Sequence, residues 1–68
     1  MSEAESVKAE LKKLSAKAIQ AKMDLHDLSE ELPVNWKSIL AVAERTYDAF
    51  SALDAKRTEL AKLEAARP

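Results

Sequence analysis

The sequence predicts an all-α fold, an antiparallel two-helix hairpin of coiled-coil type that assembles as a homodimeric four-helix bundle. Three observations point there. Thirteen alanines and nine leucines with no glycine describe long helices. The apolar residues of the first half alternate in steps of four and three, the spacing of a coiled-coil seam. A proline near the middle, Pro33, divides the 68 residues into two rods of similar length. The whole chain, residues 1–68, therefore reads as one hairpin.

Each element follows from local chemistry. Ser2-Glu3-Ala4-Glu5 has the form of a capping box, with Ser2 as N-cap and Glu5 at the third helical position. Helix 1 is predicted over about residues 3–31. Pro33 disfavours helical geometry at Leu32 and so ends it. Asn35 is the expected N-cap of helix 2, predicted over about residues 36–66, with Pro68 just beyond. The connection is short, so the helices must run antiparallel.

The seam of helix 1 is Val7, Leu11, Leu14, Ala18, Ala21, Leu25, Leu28 and Leu32. In helix 2 the expected core positions are Trp36, Ala43 and Phe50 in one series and Ile39, Thr46, Leu53 and Leu60 in the other. Folding at the proline pairs residues whose numbers sum to about 68, which would set Ala21 against Tyr47 and Ala18 against Phe50. Thr46, polar at a core position, is expected to bond back to its own helix backbone. Two rods side by side bury little surface for the entropy their ordering costs, so the remainder is expected between chains. The expected oligomer interface is Leu40, Val42, Tyr47 and Leu63, beside the seam of helix 2, with Ile19 and Met23 on the outer face of helix 1. A dimer is expected, with further pairing to a tetramer an open alternative.

Composition excludes much chemistry. Without glycine there is no phosphate-cradling loop, and without cysteine no disulfide, thiolate metal site or cysteine nucleophile. No Ser/His/Asp arrangement has triad spacing, so no catalytic residue is assigned, no cofactor is expected and the chain does not read as an enzyme. His26 and Glu30, four apart on one helical face, are the weak candidates for metal ligands. Lys8, Lys12, Lys13 and Lys17 offer a basic row for nucleic acid, though such rows are more often a solvated face. Net charge is −1, and the longest apolar run, Ile39 to Ala43, is far too short for a bilayer. The acidic N-terminal segment does not read as a secretory signal, so the expected location is cytoplasmic, without membrane attachment.

One segment breaks a local rule. Asp24, Asp27, Glu30 and Glu31 crowd the end of helix 1, where the helix dipole is negative, and residues 23 to 31 contain no lysine or arginine. The same residues, with His26, form the expected partner-binding surface, because uncompensated rule-breaking tends to mark function. The competing reading is that Lys37 or a neighbouring subunit's lysines neutralise them.

Met23-Asp24-Leu25-His26-Asp27-Leu28, then Glu31-Leu32-Pro33, Trp36 and Thr46-Tyr47, resembles the Rop-like family of small helical hairpins encoded in bacterial nitrogen-fixation gene clusters. The resemblance runs from about Leu11 to Leu60, and its specific part is the Asp-Leu-His-Asp-Leu run leading to Leu-Pro. It implies a cytoplasmic accessory protein whose partner is another nitrogen-fixation protein, an interaction module supporting nitrogenase or its cofactor assembly. It carries over no catalytic residues. The alternatives are a Rop-like structural RNA binder using the helix 1 lysines, and a metal-handling bundle using His26 and its neighbouring carboxylates.

Overall fold

The computed structural model describes residues 2–66. Helix α1 spans Glu3–Glu31, a 3₁₀ turn spans Trp36–Ser38, and helix α2 spans Ile39–Ala65. The two helices lie antiparallel in a rod of 55 × 15 × 13 Å.

The start of α1 follows the sequence. Ser2 is extended, its Oγ accepts from the Glu5 N–H at 3.2 Å, and its carbonyl accepts from the Ser6 N–H at 3.1 Å. At the other end Leu32 has left helical space (φ −57°, ψ 141°), as a residue before proline should. The Leu32–Pro33 bond is cis. The chain reverses through Asn35, which takes the left-handed conformation at φ 62°; asparagine tolerates this better than most residues. The Val34 N–H bonds to the Glu31 carbonyl at 3.0 Å, and the Ser38 N–H to the Asn35 carbonyl at 2.9 Å. Asn35 is therefore the pivot of the turn rather than the cap of α2. Ser38 occupies the cap position, without a side-chain hydrogen bond. At its far end α2 closes with the Ala66 N–H on the Lys62 carbonyl, and Lys62 complements the dipole there. Pro68 lies outside the described residues.

The buried side chains are Ala4, Val7, Ala18 and Leu28 of α1 with Val42 and Leu53 of α2. Leu11, Leu14, Ala21 and Leu25 are half-buried, so the α1 seam lies where its spacing puts it up to Leu28, whereas Leu32 is exposed. In α2 one core series is also as expected: Thr46, Leu53 and Leu60 face α1, although Ile39, next to the turn, stays exposed. The other series is different. Trp36 and Phe50 are exposed, and the seam is completed by Val42, Ala49, Lys56 and Leu63. Val42 and Leu63, expected on the oligomer face, thus belong inside the hairpin.

The reason is the size of what lies opposite. The Thr46 hydroxyl reaches the Ala21 carbonyl at 3.3 Å, and the Lys56 Nζ lies 2.7 Å from a Glu10 carboxylate oxygen. Level residues therefore have numbers summing to about 67, close to the expected register along the axis. Ala18, 1% exposed, comes level with Ala49, and Ala21 with Thr46. Small side chains oppose small ones and the helices approach closely, leaving no room for Phe50 or Tyr47 in the seam. The axial register holds, and α2 is turned about its own axis so that its aromatic residues look outward. Thr46 Oγ1 also approaches the Val42 carbonyl at 2.8 Å, the back-bond expected of a helical threonine.

Candidate interaction surface

The described residues carry little that resembles a concave reaction site, and their unusual chemistry lies on outer faces. Three regions stand out: a second apolar row on α2, the acidic end of α1, and the turn that joins them.

Leu40, Ala43, Tyr47 and Phe50 repeat the three-four spacing of a seam, but on a face that the hairpin covers only in part. Leu40 is 82% exposed, Tyr47 75% and Phe50 41%, while Ala43 is half-buried. Helix α2 therefore carries two adjacent heptad rows, one used within the hairpin and one unpartnered. Ile19 of α1 is exposed and level with Tyr47 by the same numerical sum; Met23, exposed one turn further along, lies on the outer face. Of the residues expected at an oligomer interface, Ile19, Met23, Leu40 and Tyr47 are thus on the surface, and Val42 and Leu63 are not. Phe50 belongs to this row, although its place in the heptad suggested the core. The signal was present in the sequence as the doubled spacing on α2.

At the end of α1 each acid has only local partners. Asp24 accepts from the Gln20 side-chain amide at 2.9 Å, and Glu31 from the Asn35 amide at 3.3 Å. The His26 Nε2 lies 3.4 Å from a Glu30 carboxylate oxygen and its Nδ1 4.0 Å from Asp27, all three side chains exposed. Among the described residues no lysine or arginine comes within ion-pair distance of the four acids. Lys37 does not neutralise them, for its ammonium lies 5.9 Å from the centroid of the Trp36 ring, in cation–π range. Beside the acids, Leu32, Val34 and Trp36 are exposed, an apolar patch at the tip that the spacing of the helices did not reveal.

Lys8, Lys12, Lys13 and Lys17 are exposed along α1; Lys13 and Lys17 line a shallow groove with Glu10, Leu14, Ala16 and Lys56. Lys56 is held above the ordinary lysine value of 10.5 by the hydrogen bonds its ammonium donates to Glu10, then to Glu59, which outweigh its desolvation. Its amine sits 2.7 Å from Glu10 and 2.9 Å from Glu59, so this cation is already engaged. Among the described residues no group of three or more histidines and carboxylates is placed to hold a metal ion, and no helix is long and apolar enough to cross a membrane.

The arrangement defines a small antiparallel helical hairpin whose unpartnered chemistry is confined to its outer faces and tip. The chain belongs to the Rop-like family, whose model matches residues 2–65. It is 60% identical to a UPF0437 protein of Azorhizobium caulinodans, over 96% of this chain and 94% of that one. A Frankia alni protein described as a UPF0437 protein in the nifX-nifW intergenic region is 49% identical, over 72% of this chain and 60% of the relative. An NMR structure from a structural genomics programme superposes with a TM-score of 0.88 at 54% identity, covering 100% of this chain and 97% of the other. The family membership and its nitrogen-fixation gene association agree with the resemblance carried by the Asp-Leu-His-Asp-Leu run.

Proposed function

We propose that this chain is a non-enzymatic, cytoplasmic accessory protein of nitrogen fixation, an interaction module that supports nitrogenase or its cofactor assembly as a homodimeric four-helix bundle. The observation that carries the module reading is the second heptad row on α2, Leu40, Ala43, Tyr47 and Phe50, in which a monomer leaves Leu40 and Tyr47 largely in water and Phe50 partly so. A row at seam spacing fits another helix better than it fits a flat surface or a small molecule. A second copy supplies such a helix by two-fold symmetry, with Ile19 beside the row. The nitrogen-fixation context comes from the Frankia relative, placed by its description between two nif genes.

The test is complementation. Deleting the relative in Azorhizobium caulinodans should slow growth on dinitrogen and lower acetylene reduction while leaving growth on ammonium unchanged, and this chain should restore both. Leu40→Glu with Tyr47→Glu should sediment as a monomer and fail to restore them. A deletion strain with full acetylene reduction would end the nitrogen-fixation reading, and wild-type protein that sediments as a folded monomer would end the dimer.

A further inference from the structure

The tip of the hairpin is apolar as well as acidic, and the two features adjoin. Val34 is 63% exposed and Trp36 60%, with Leu32 exposed beside them. The Val34 N–H on the Glu31 carbonyl and the Asn35 amide on the Glu31 carboxylate fasten this patch to the last turn of α1. Glu30 and Glu31 stand in that turn, with Asp27 one turn back. We propose that the tip, through Leu32, Val34 and Trp36 bordered by Asp27, Glu30 and Glu31, docks a basic amphipathic helix of a partner protein; this rests on the interaction-module reading and specifies the partner's chemistry.

Charge complementarity selects this occupant. From Met23 to Trp36 there is no lysine or arginine, and the next cation, Lys37, lies over the Trp36 ring. Three exposed large apolar side chains and three carboxylates, all within residues 27–36, match a helix with an apolar stripe flanked by lysines or arginines. The indole, large and rigid, is the natural anchor for that stripe. A second copy meeting tip to tip would set these acids against their counterparts. An anionic lipid surface would be repelled by them in the same way. Trp36 stands one turn before Leu40, at the end of the outer row of α2, whereas Leu32, Val34 and the acids lie before that row in the chain.

Because the chain has a single tryptophan, the Trp36 indole N–H signal reports on the tip alone. The probes are two synthetic amphipathic helices of equal length, one with leucines flanked by lysines and one with the lysines replaced by glutamates. They are titrated into the ¹⁵N-labelled full-length protein at low salt. Saturable shifts at Trp36, Val34 and Leu32 with the lysine helix, and none with the glutamate helix, are the expected result. Asp27→Lys with Glu30→Lys should weaken binding at least about tenfold, and Val34→Ser should weaken it with all charges kept. Circular dichroism and sedimentation must show both variants folded and in the wild-type assembly state. Equal binding of the two helices, shifts confined to Leu40–Phe50, undiminished binding by the charge-reversed variant, or movement of Trp36 only with vesicles of phosphatidylcholine and phosphatidylglycerol would each overturn the proposal. A positive titration alongside a deletion strain with normal nitrogen fixation would leave the docking site standing and remove the nitrogen-fixation role.

Discussion

Leu53 and Phe50 are neighbours in α2 whose truncation to alanine should behave in opposite ways with protein concentration. Leu53 is 5% exposed against α1, so Leu53→Ala leaves a cavity inside each hairpin and should cost about 2–5 kcal/mol per protomer. Phe50 is 41% exposed, so the hairpin covers about three-fifths of it. Full burial of such a side chain contributes about 1.5–3 kcal/mol, of which roughly 1–2 is realised within the chain and about 1 would be gained against a second copy in the proposed dimer. Two such residues per dimer amount to about 2 kcal/mol, or roughly a 30-fold weaker dimer for Phe50→Ala. Urea unfolding followed by circular dichroism, from about 1 to about 100 µM protein, separates the two, because only a loss at the association step changes with concentration. Sedimentation equilibrium gives the dissociation constant directly. If Phe50→Ala leaves that constant unchanged, the outer row is not the interface. A loss below about 1 kcal/mol for Leu53→Ala would mean that the seam itself is misplaced.

Ala18→Leu should overpack the closest approach of the two helices and cost about 1–3 kcal/mol, measured as a lowered urea midpoint. Thr46→Val removes a hydroxyl whose acceptors, the Val42 and Ala21 carbonyls, lie within helices; denaturant melts should therefore move by less than about 1 kcal/mol. Lys56 has a raised folded-state value, so its ion pairs contribute fully below the ordinary 10.5 and are lost as pH climbs through the higher folded value. Melts of wild type should accordingly fall at strongly alkaline pH, and Lys56→Met should flatten that part of the profile. Asp27→Lys with Glu30→Lys places cations at the negative end of α1 and should raise stability by about 0.3–1 kcal/mol per change at low salt. Salt should shrink that gain; a lower melting temperature would mean that the acids have cationic partners within the assembly.

Much of the hairpin was legible because backbone chemistry leaves few choices. Proline excludes helix at Leu32, serine caps α1, and the four-three spacing of α1 admits only one buried stripe up to Leu28. The rotation of α2 was not legible because that helix offers two overlapping seven-residue rows. Size favoured the aromatic one, Trp36, Ala43 and Phe50, which would set large side chains against Ala18 and Ala21. Packing reversed that argument. Ala18 and Ala21 demand small partners, and the Lys56 stem lies along the seam while its ammonium reaches the carboxylates at the rim. The acidic segment was visible as charge, and His26 with Glu30 as a spaced pair, because helical spacing alone brings them together. The apolar half of the tip was hidden, because a residue next to a turn has no periodicity from which to read its exposure.

Two polar contacts cross the seam among the described residues, Thr46 to the Ala21 carbonyl and Lys56 to Glu10, and they act as fixed marks on a ruler. A slide of one helix past the other by one heptad would bring a different residue opposite each mark and set Ala18 and Ala21 against larger side chains, Val42 and Ile39 in one direction or Lys56 and Leu53 in the other. Length changes are therefore tolerated only in matched form. Removing seven residues from both helices between those marks and the turn would shorten the rod by about 10 Å and return every face to its place. Removing them from one helix alone would strand Lys56 away from Glu10. Insertions and deletions in such hairpins should accordingly occur as paired heptads, with the tip carried nearer to or farther from the termini as a unit.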